Sequence, residues 1–142
     1  MKKIAFITLL LAFAIKSIAS DYRQEKSLNG TWQFSLLGTN EEIEWEDITV
    51  PGHWELQGFC RPSWRIPRDT TGIYQVDVQI PLNWQAKRIF LHFGGVYYRC
   101  EVYWNGKLLG EHESGYTAFE YDITEFVEAG MTGELRVKVY TW

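Results

Sequence analysis

The stretch Val96–Thr124 reads VYYRCEVYWNGKLLGEHESGYTAFEYDIT, and its periodicity decides the fold class. Cys100, Val102 and Trp104 fall on one side of an extended chain, with Glu101 and Tyr103 on the other, because β side chains alternate with period two. Asn105-Gly106 follows. This is the preferred pair for a two-residue type I′ turn, since both positions need φ > 0. Lys107-Leu108-Leu109 then starts the return strand, and the remaining strands are expected to pack around this hairpin.

The same alternation recurs outward in both directions. On the N-terminal side, Ile89, Leu91 and Phe93 form one inward face, and Gly94-Gly95 turns a corner before the hairpin. Tyr74, Val76, Val78 and Ile80 share a face against Gln75, Asp77 and Gln79, and Pro81-Leu82-Asn83-Trp84 turns the chain. Leu28-Asn29-Gly30 opens the first strand, where Trp32, Phe34 and Leu36 point inward and Gln33 and Ser35 outward. The acidic run Glu41–Asp47 is read as a solvated connection, and Ile48-Thr49-Val50 as a short extended piece.

On the C-terminal side, Phe119, Tyr121 and Ile123 alternate with Glu120 and Asp122. Asp122-Ile123-Thr124-Glu125 has capping-box spacing, which predicts a helical turn over Thr124–Ala129 closed by Gly130. Leu135, Val137 and Val139 form a last strand with Arg136 and Lys138 outward. Short strands between turn signals, one helical turn and no βαβ rhythm predict an all-β fold. It is expected to be an antiparallel β-sandwich with jelly-roll topology.

Residues 1–19 stand apart. Lys2 and Lys3 precede an apolar run, Ile4–Ile15, which ends near Ser17-Ile18-Ala19. This pattern predicts a secretory signal peptide cleaved after Ala19 or Ser20, hence an exported protein, periplasmic or secreted, with no membrane segment after cleavage. The apolar run is short for a bilayer span, and Lys16 closes it. Residues 20–142 have room for one domain. Of the 14 Lys and Arg, three lie in the leader, leaving 11 against 18 acidic residues and a formal charge of −7. That balance argues against a nucleic-acid partner. All seven Trp lie in this part, and exposed rings of this kind can stack on the apolar face of a pyranose.

Cys60 and Cys100 are the two cysteines. One lies in an apparent loop and the other in a strand, so separate thiols are expected, with a disulfide as the alternative that an oxidising compartment permits. His53, His92 and His112 have no short metal-ligand spacing among themselves or with the cysteines, and neither metal nor other cofactor is expected. No G-x-S-x-G elbow and no phosphate-binding glycine loop is present.

Glycoside hydrolysis requires two carboxyl groups facing each other across one bond. Glu111, Glu113, Glu120 and Asp122 flank the hairpin, but Glu120 and Asp122 are on the outward face and Asp122 has a capping role. They read as solvated or capping groups, and no catalytic residue is assigned. The loop His53–Thr71 is long, aperiodic and decorated, the kind that is usually functional. Trp64, Arg65 and Arg61 are its candidate substrate-binding residues, a ring for stacking with guanidinium groups for hydroxyls or carboxylates. Trp54 is either a second stacking ring or a plug over the core, the plug being the commoner use of such a residue. Gly115-Tyr116-Thr117 offers a second contact or an interdomain rim.

Five motifs occur in order: Leu28-Asn29-Gly30-x-Trp32-x-Phe34, Val50-Pro51-Gly52-His53-Trp54, Gly72-Ile73-Tyr74, Val102-x-Trp104-Asn105-Gly106 with Gly110, and Gly115-Tyr116-Thr117-x-Phe119-x-x-Asp122-Ile123-Thr124. Together they resemble the N-terminal sugar-binding domain of glycoside hydrolase family 2, which holds β-galactosidases, β-glucuronidases and β-mannosidases. The resemblance implies a galactose-binding-domain-like jelly roll. It also implies downstream immunoglobulin-like and TIM-barrel domains, the barrel carrying two catalytic glutamates that act by a retaining mechanism on terminal β-linked sugars.

Those later parts lie beyond this sequence, so this chain is expected to be truncated at its C-terminal end and inactive alone. The galactosidase branch lends the barrel an Asn from the loop after V-P-x-x-W and an Asp past the last strand. Here the loop reads Arg61-Pro62-Ser63-Trp64-Arg65-Ile66, without Asn, and the chain ends at Trp142. The wording W-E-L-Q-G-F is closer to the galactosidases, and G-Y-T-x-F-x-x-D-I-T to the glucuronidases. A β-galactosidase-like domain is the expectation, with a β-glucuronidase or β-mannosidase domain, or a free-standing carbohydrate-binding module, as alternatives.

Overall fold

The computed structural model describes residues 23–37, 43–59 and 70–140. Among these described residues, eight strands form in chain order: β1 Gly30–Leu37, β2 Glu46–Val50, β3 Thr71–Gln79, β4 Phe90–Phe93, β5 Val96–Trp104, β6 Lys107–Ser114, β7 Phe119–Asp122 and β8 Thr132–Tyr140. Six make one sheet in the order β2-β1-β3-β8-β5-β6, and β4 pairs with β7 in a second. Every pairing is antiparallel. Among the described residues, no helix is long and apolar enough to cross a membrane.

The two sheets close on one apolar cluster, which makes the fold a β-sandwich. Trp32 and Phe34 of β1, Val78 of β3, Cys100, Val102 and Trp104 of β5, and Leu135, Val137 and Val139 of β8 meet Leu91 of β4 and the residues that flank the smaller sheet, Ile89 just before β4 and Ile123 just after β7. Alternation along each strand places these side chains on the shared interior. The hairpin forms as its sequence requires: Asn105 sits at φ 46° and Gly106 at φ 77°. Asn105 also bonds back to β8, its N–H donating to the Glu134 carbonyl at 2.9 Å and its Oδ1 accepting the Glu134 N–H at 2.8 Å. An irregularity between Val102 and Tyr103 shifts the register by one residue around Leu109.

Three expectations change. Ser35 is buried, as is its register partner Ile73, so the face of β1 opposite Phe34 is covered at that position, while Gln33 on the same face is exposed. The expected single helical turn is one of three short 3₁₀ turns among the described residues, Trp54–Gln57, Leu82–Trp84 and Thr124–Phe126. The capping box is realised differently too. Asp122 Oδ1 accepts from the Thr124 N–H at 3.0 Å and from Thr124 Oγ1 at 2.5 Å, two residues on, so the chain turns once and Val127 is already extended. Gly130 does occupy the left-handed region, at φ 85°.

The N-terminal piece, residues 23–29, has no regular structure and lies over the edge of the sandwich. Lys26 Nζ donates to the Gln79 carbonyl at 2.7 Å, and Trp32 Nε1 donates to the Leu28 carbonyl at 2.7 Å. The expected leader, residues 1–19, lies outside the described residues.

Candidate functional site

At one end of the hairpin, small residues bring two backbone segments together and leave large rings outside. Val96 and Ser114 are register partners there. A β-carbon on Gly95 would stand 3.3 Å from the Gly115 carbonyl oxygen, and one on Gly115 would stand 2.2 Å from Cδ2 of Tyr97. Glycine at 115 is therefore what allows the Tyr97 ring to pack against the chain there. Tyr116 is 91% exposed and Tyr97 52% exposed. Their ring centroids are 6.2 Å apart at an interplanar angle of 70°, and Tyr98 stands 5.8 Å from Tyr97 at 62°. The Tyr98 hydroxyl donates to the Glu113 carboxylate, a bond that raises the phenol's pKa.

This aromatic edge borders a cleft between the sheets of about 2120 Å³, lined by Gly94, Gly95, Tyr97, Tyr98 and Gly115 together with His53, Trp54 and Tyr74. The volume exceeds the roughly 300–1,000 Å³ of a small-molecule pocket. It is an open interlayer cleft with an aromatic rim.

The candidates read from the sequence fare differently. Trp64, Arg65 and Arg61 lie outside the described residues, as does Cys60. Trp54 is only 6% exposed and packs at 5.7 Å from the Phe34 ring and 6.3 Å from Tyr74. It is the plug over the core, and its burial removes it from the stacking candidates. Tyr116 of the Gly115-Tyr116-Thr117 turn is exposed. Tyr97 and Tyr98 were not among the candidates. Their signal was the Gly94-Gly95 corner ahead of two adjacent aromatics, of which a strand can bury only one per face.

The carboxylates flanking the hairpin are each engaged. Glu111 bonds Arg99 at 2.8 Å, and Glu120 lies 3.7 Å from both Arg23 and His92. Asp122 bonds Arg88 at 2.6 Å. The Thr124 hydroxyl, with Arg88 and the Thr124 N–H, holds the Asp122 carboxyl down to about 2. None of Glu111, Glu113, Glu120 and Asp122 lines the cleft. This arrangement presents rings, hydroxyls and hydrogen-bonded charges, the equipment for binding. Among the described residues no group of three His, Cys, Asp or Glu side chains is placed to hold a metal.

A second polar surface covers the outer face of the large sheet. Glu101 and Glu111 are directly opposed across β5 and β6, a pairing that would repel in isolation. Burial raises the Glu101 pKa, but hydrogen bonds from Tyr103 and Tyr140 and the charges of Lys138 and Arg99 outweigh it, and the carboxyl ends below its ordinary value. The bond to Glu101 pushes the Tyr103 phenol up to about 12. This network ties β5, β6 and β8 together across the sheet.

Residues 25–142 match the family model described as glycosyl hydrolases family 2, sugar binding domain. A β-galactosidase of Psychromonas ingrahamii is 28% identical over 91% of this chain. A β-glucuronidase of Bacteroides fragilis is 30% identical over 96% of it. The chain spans 15% and 19% of the lengths of these two relatives. Among solved structures, a β-glucuronidase of Faecalibacterium prausnitzii superposes with a TM-score of 0.71 at 28% identity, covering 84% of this chain and 22% of that one. A β-glucuronidase of Ruminococcus gnavus gives 0.72 at 25% identity, covering 87% and 22%.

Proposed function

This chain belongs to the sugar binding domain family of the glycosyl hydrolases family 2, and from that premise we propose that it serves as the N-terminal domain of an exported, retaining exo-β-glycosidase of β-galactosidase type. The observation that carries the reading is the family match over residues 25–142 on a chain that folds as an antiparallel sandwich. The carboxylates flanking the hairpin are engaged in local bonds, and this reading places the acid and the nucleophile in other domains of the protein. An immunoglobulin-like domain and a catalytic barrel are the proposed neighbours, and residues 1–19 are the proposed export signal.

A β-glucuronidase is the second reading. It is favoured by the Bacteroides fragilis relative and by the solved β-glucuronidases. The two are separated by expressing the complete coding region and comparing hydrolysis of nitrophenyl β-galactoside with that of nitrophenyl β-glucuronide. Preference for the galactoside is expected. Preference for the glucuronide supports the second reading, and hydrolysis of neither sinks the glycosidase assignment in favour of a carbohydrate-binding module. Recovery of the mature protein outside the cytoplasm, beginning at Ser20 or Asp21, checks the export signal.

A further inference from the structure

We propose that an apolar patch at the end of the sandwich away from the aromatic corner is a contact for a second copy of this chain. Its centre is Leu82, Phe126 and Met131, and Lys107, Glu125 and Glu128 stand at its margin. The proposal concerns assembly and goes beyond the glycosidase reading.

Three connections meet at this end: the one between β3 and β4, the β5–β6 turn, and the one between β7 and β8. Leu82 belongs to the first and rests on the third, where a β-carbon on Gly130 would stand 2.6 Å from Leu82 Cδ2. Backbone bonds hold the two together. The Ile80 N–H donates to the Met131 carbonyl and the Gly130 N–H to the Ile80 carbonyl, each at 2.8 Å. Lys107, just after the β5–β6 turn, places Nζ 4.0 Å from the centre of the Phe126 ring. Leu82 is 77% and Met131 59% exposed, and Phe126 is exposed beside them. Single apolar side chains on a surface are ordinary, whereas a group of large ones held in place by the backbone marks a contact.

Three observations point to a second copy as the occupant. None of Leu82, Phe126 and Met131 lines the cleft between the sheets, so the patch is a separate surface. The chain also leaves from the other end of the sandwich. β8 begins at Thr132, next to the patch, and its nine residues end at Tyr140, about 27 Å away at roughly 3.4 Å per residue. A domain joined after Tyr140 therefore starts far from the patch. Finally, the margin carries both signs. Lys107, Glu125 and Glu128 are exposed, and among the described residues Glu125 and Glu128 make no ion pair. An apolar centre with open charges of both signs at its rim is complementary to itself, as a two-fold contact between identical chains requires.

Sedimentation equilibrium of the full chain, from micromolar to near-millimolar concentration, tests the proposal. A monomer–dimer equilibrium is expected, with a Kd of about 1–100 μM for a patch of this size. Leu82→Asp and Met131→Asp should each weaken it by at least about tenfold. Both positions are exposed, and unchanged thermal unfolding confirms that the variants remain folded. Lys107→Glu alone, and Glu125→Lys with Glu128→Lys, should each weaken the dimer, while an equimolar mixture of these two proteins should associate more tightly than either one. In a Cys60→Ser background, Met131→Cys should cross-link the dimer under mild oxidation, and Gln33→Cys, exposed on the outer face of the large sheet, should not. A monomer at every concentration overturns the proposal. So does a dimer indifferent to Leu82→Asp and Met131→Asp, or one that Gln33→Cys links as readily as Met131→Cys. The glycosidase reading is decided separately, by the hydrolysis assay on the complete protein.

Discussion

The indole of Trp54 lies directly on the backbone of Gly72: a β-carbon built on Gly72 would stand 2.4 Å from Cζ3 of Trp54 and 2.8 Å from Cε2 of Phe34. The 3₁₀ turn that follows β2 is thereby pinned to the start of β3. Gly72→Ala should force these rings apart and destabilise the domain by about 1–3 kcal/mol. Trp54→Ala should cost about 3–5 kcal/mol by leaving a cavity. Gly94→Ala, where nothing lies within 4 Å, serves as the neutral control. Urea unfolding followed by tryptophan fluorescence measures all three.

The Asn105 side chain does two things at once, accepting the left-handed backbone of the turn and bonding the Glu134 N–H. Asn105→Ala should lose both and cost about 1–2 kcal/mol. Asn105→Asp keeps the acceptor and should fall between the two. If both variants unfold at the wild-type urea midpoint, the turn contributes less than this geometry implies.

Cys100 is fully buried, and desolvation pushes its thiol from 9.0 up to about 11. In a Cys60→Ser background it should resist Ellman's reagent at pH 8 until the protein is unfolded. The sign for stability follows from the raised folded value. The contribution is fully present below pH 9, where the thiol is neutral in both states, and is lost between about pH 9 and 11 as the unfolded thiol ionises. At about 2–3 kcal/mol the loss should be measurable, and Cys100→Ala should flatten the pH dependence in that window.

Asp122 shows the opposite sign. Its carboxyl is held at about 2, below the ordinary 3.8, by Thr124 and Arg88. The stabilisation it supplies is present above pH 3.8 and disappears as pH falls toward 2. An NMR titration should place its midpoint near 2. Thr124→Val should move that midpoint upward, and because Thr124 Oγ1 also accepts the Ile89 N–H at 2.9 Å, it should loosen the start of β4 as well.

Much of this fold was legible because the signals are local. Period-two alternation in Tyr74–Ile80, Ile89–Phe93 and Leu135–Val139 follows from the geometry of an extended chain and needs no partner. Asn-Gly dictates its turn by φ alone. The capping box misled because the same Asp can accept a bond two or three residues on, and the choice depends on whether a helix has room to continue. The binding candidates were less legible for a related reason. An exposed ring and a buried ring are the same letter, so Trp54 stood as a candidate while Tyr97 and Tyr98 passed as strand residues.

By itself, the sequence determined that the domain is an antiparallel sandwich, where its strands run and which family its motifs resemble. Tertiary structure alone decided that β8, last in the described chain, lies between β3 and β5. It also decided that Ser35 and Trp54 are covered and that Tyr97 and Tyr116 are not. Alternation is set by each residue's own backbone, whereas strand order and burial depend on contacts between segments far apart in the chain. The β5–β6 hairpin belongs to both kinds: its turn is dictated locally, and the aromatic corner at its far end depends on two glycines, Gly95 just before β5 and Gly115 just after β6, meeting there.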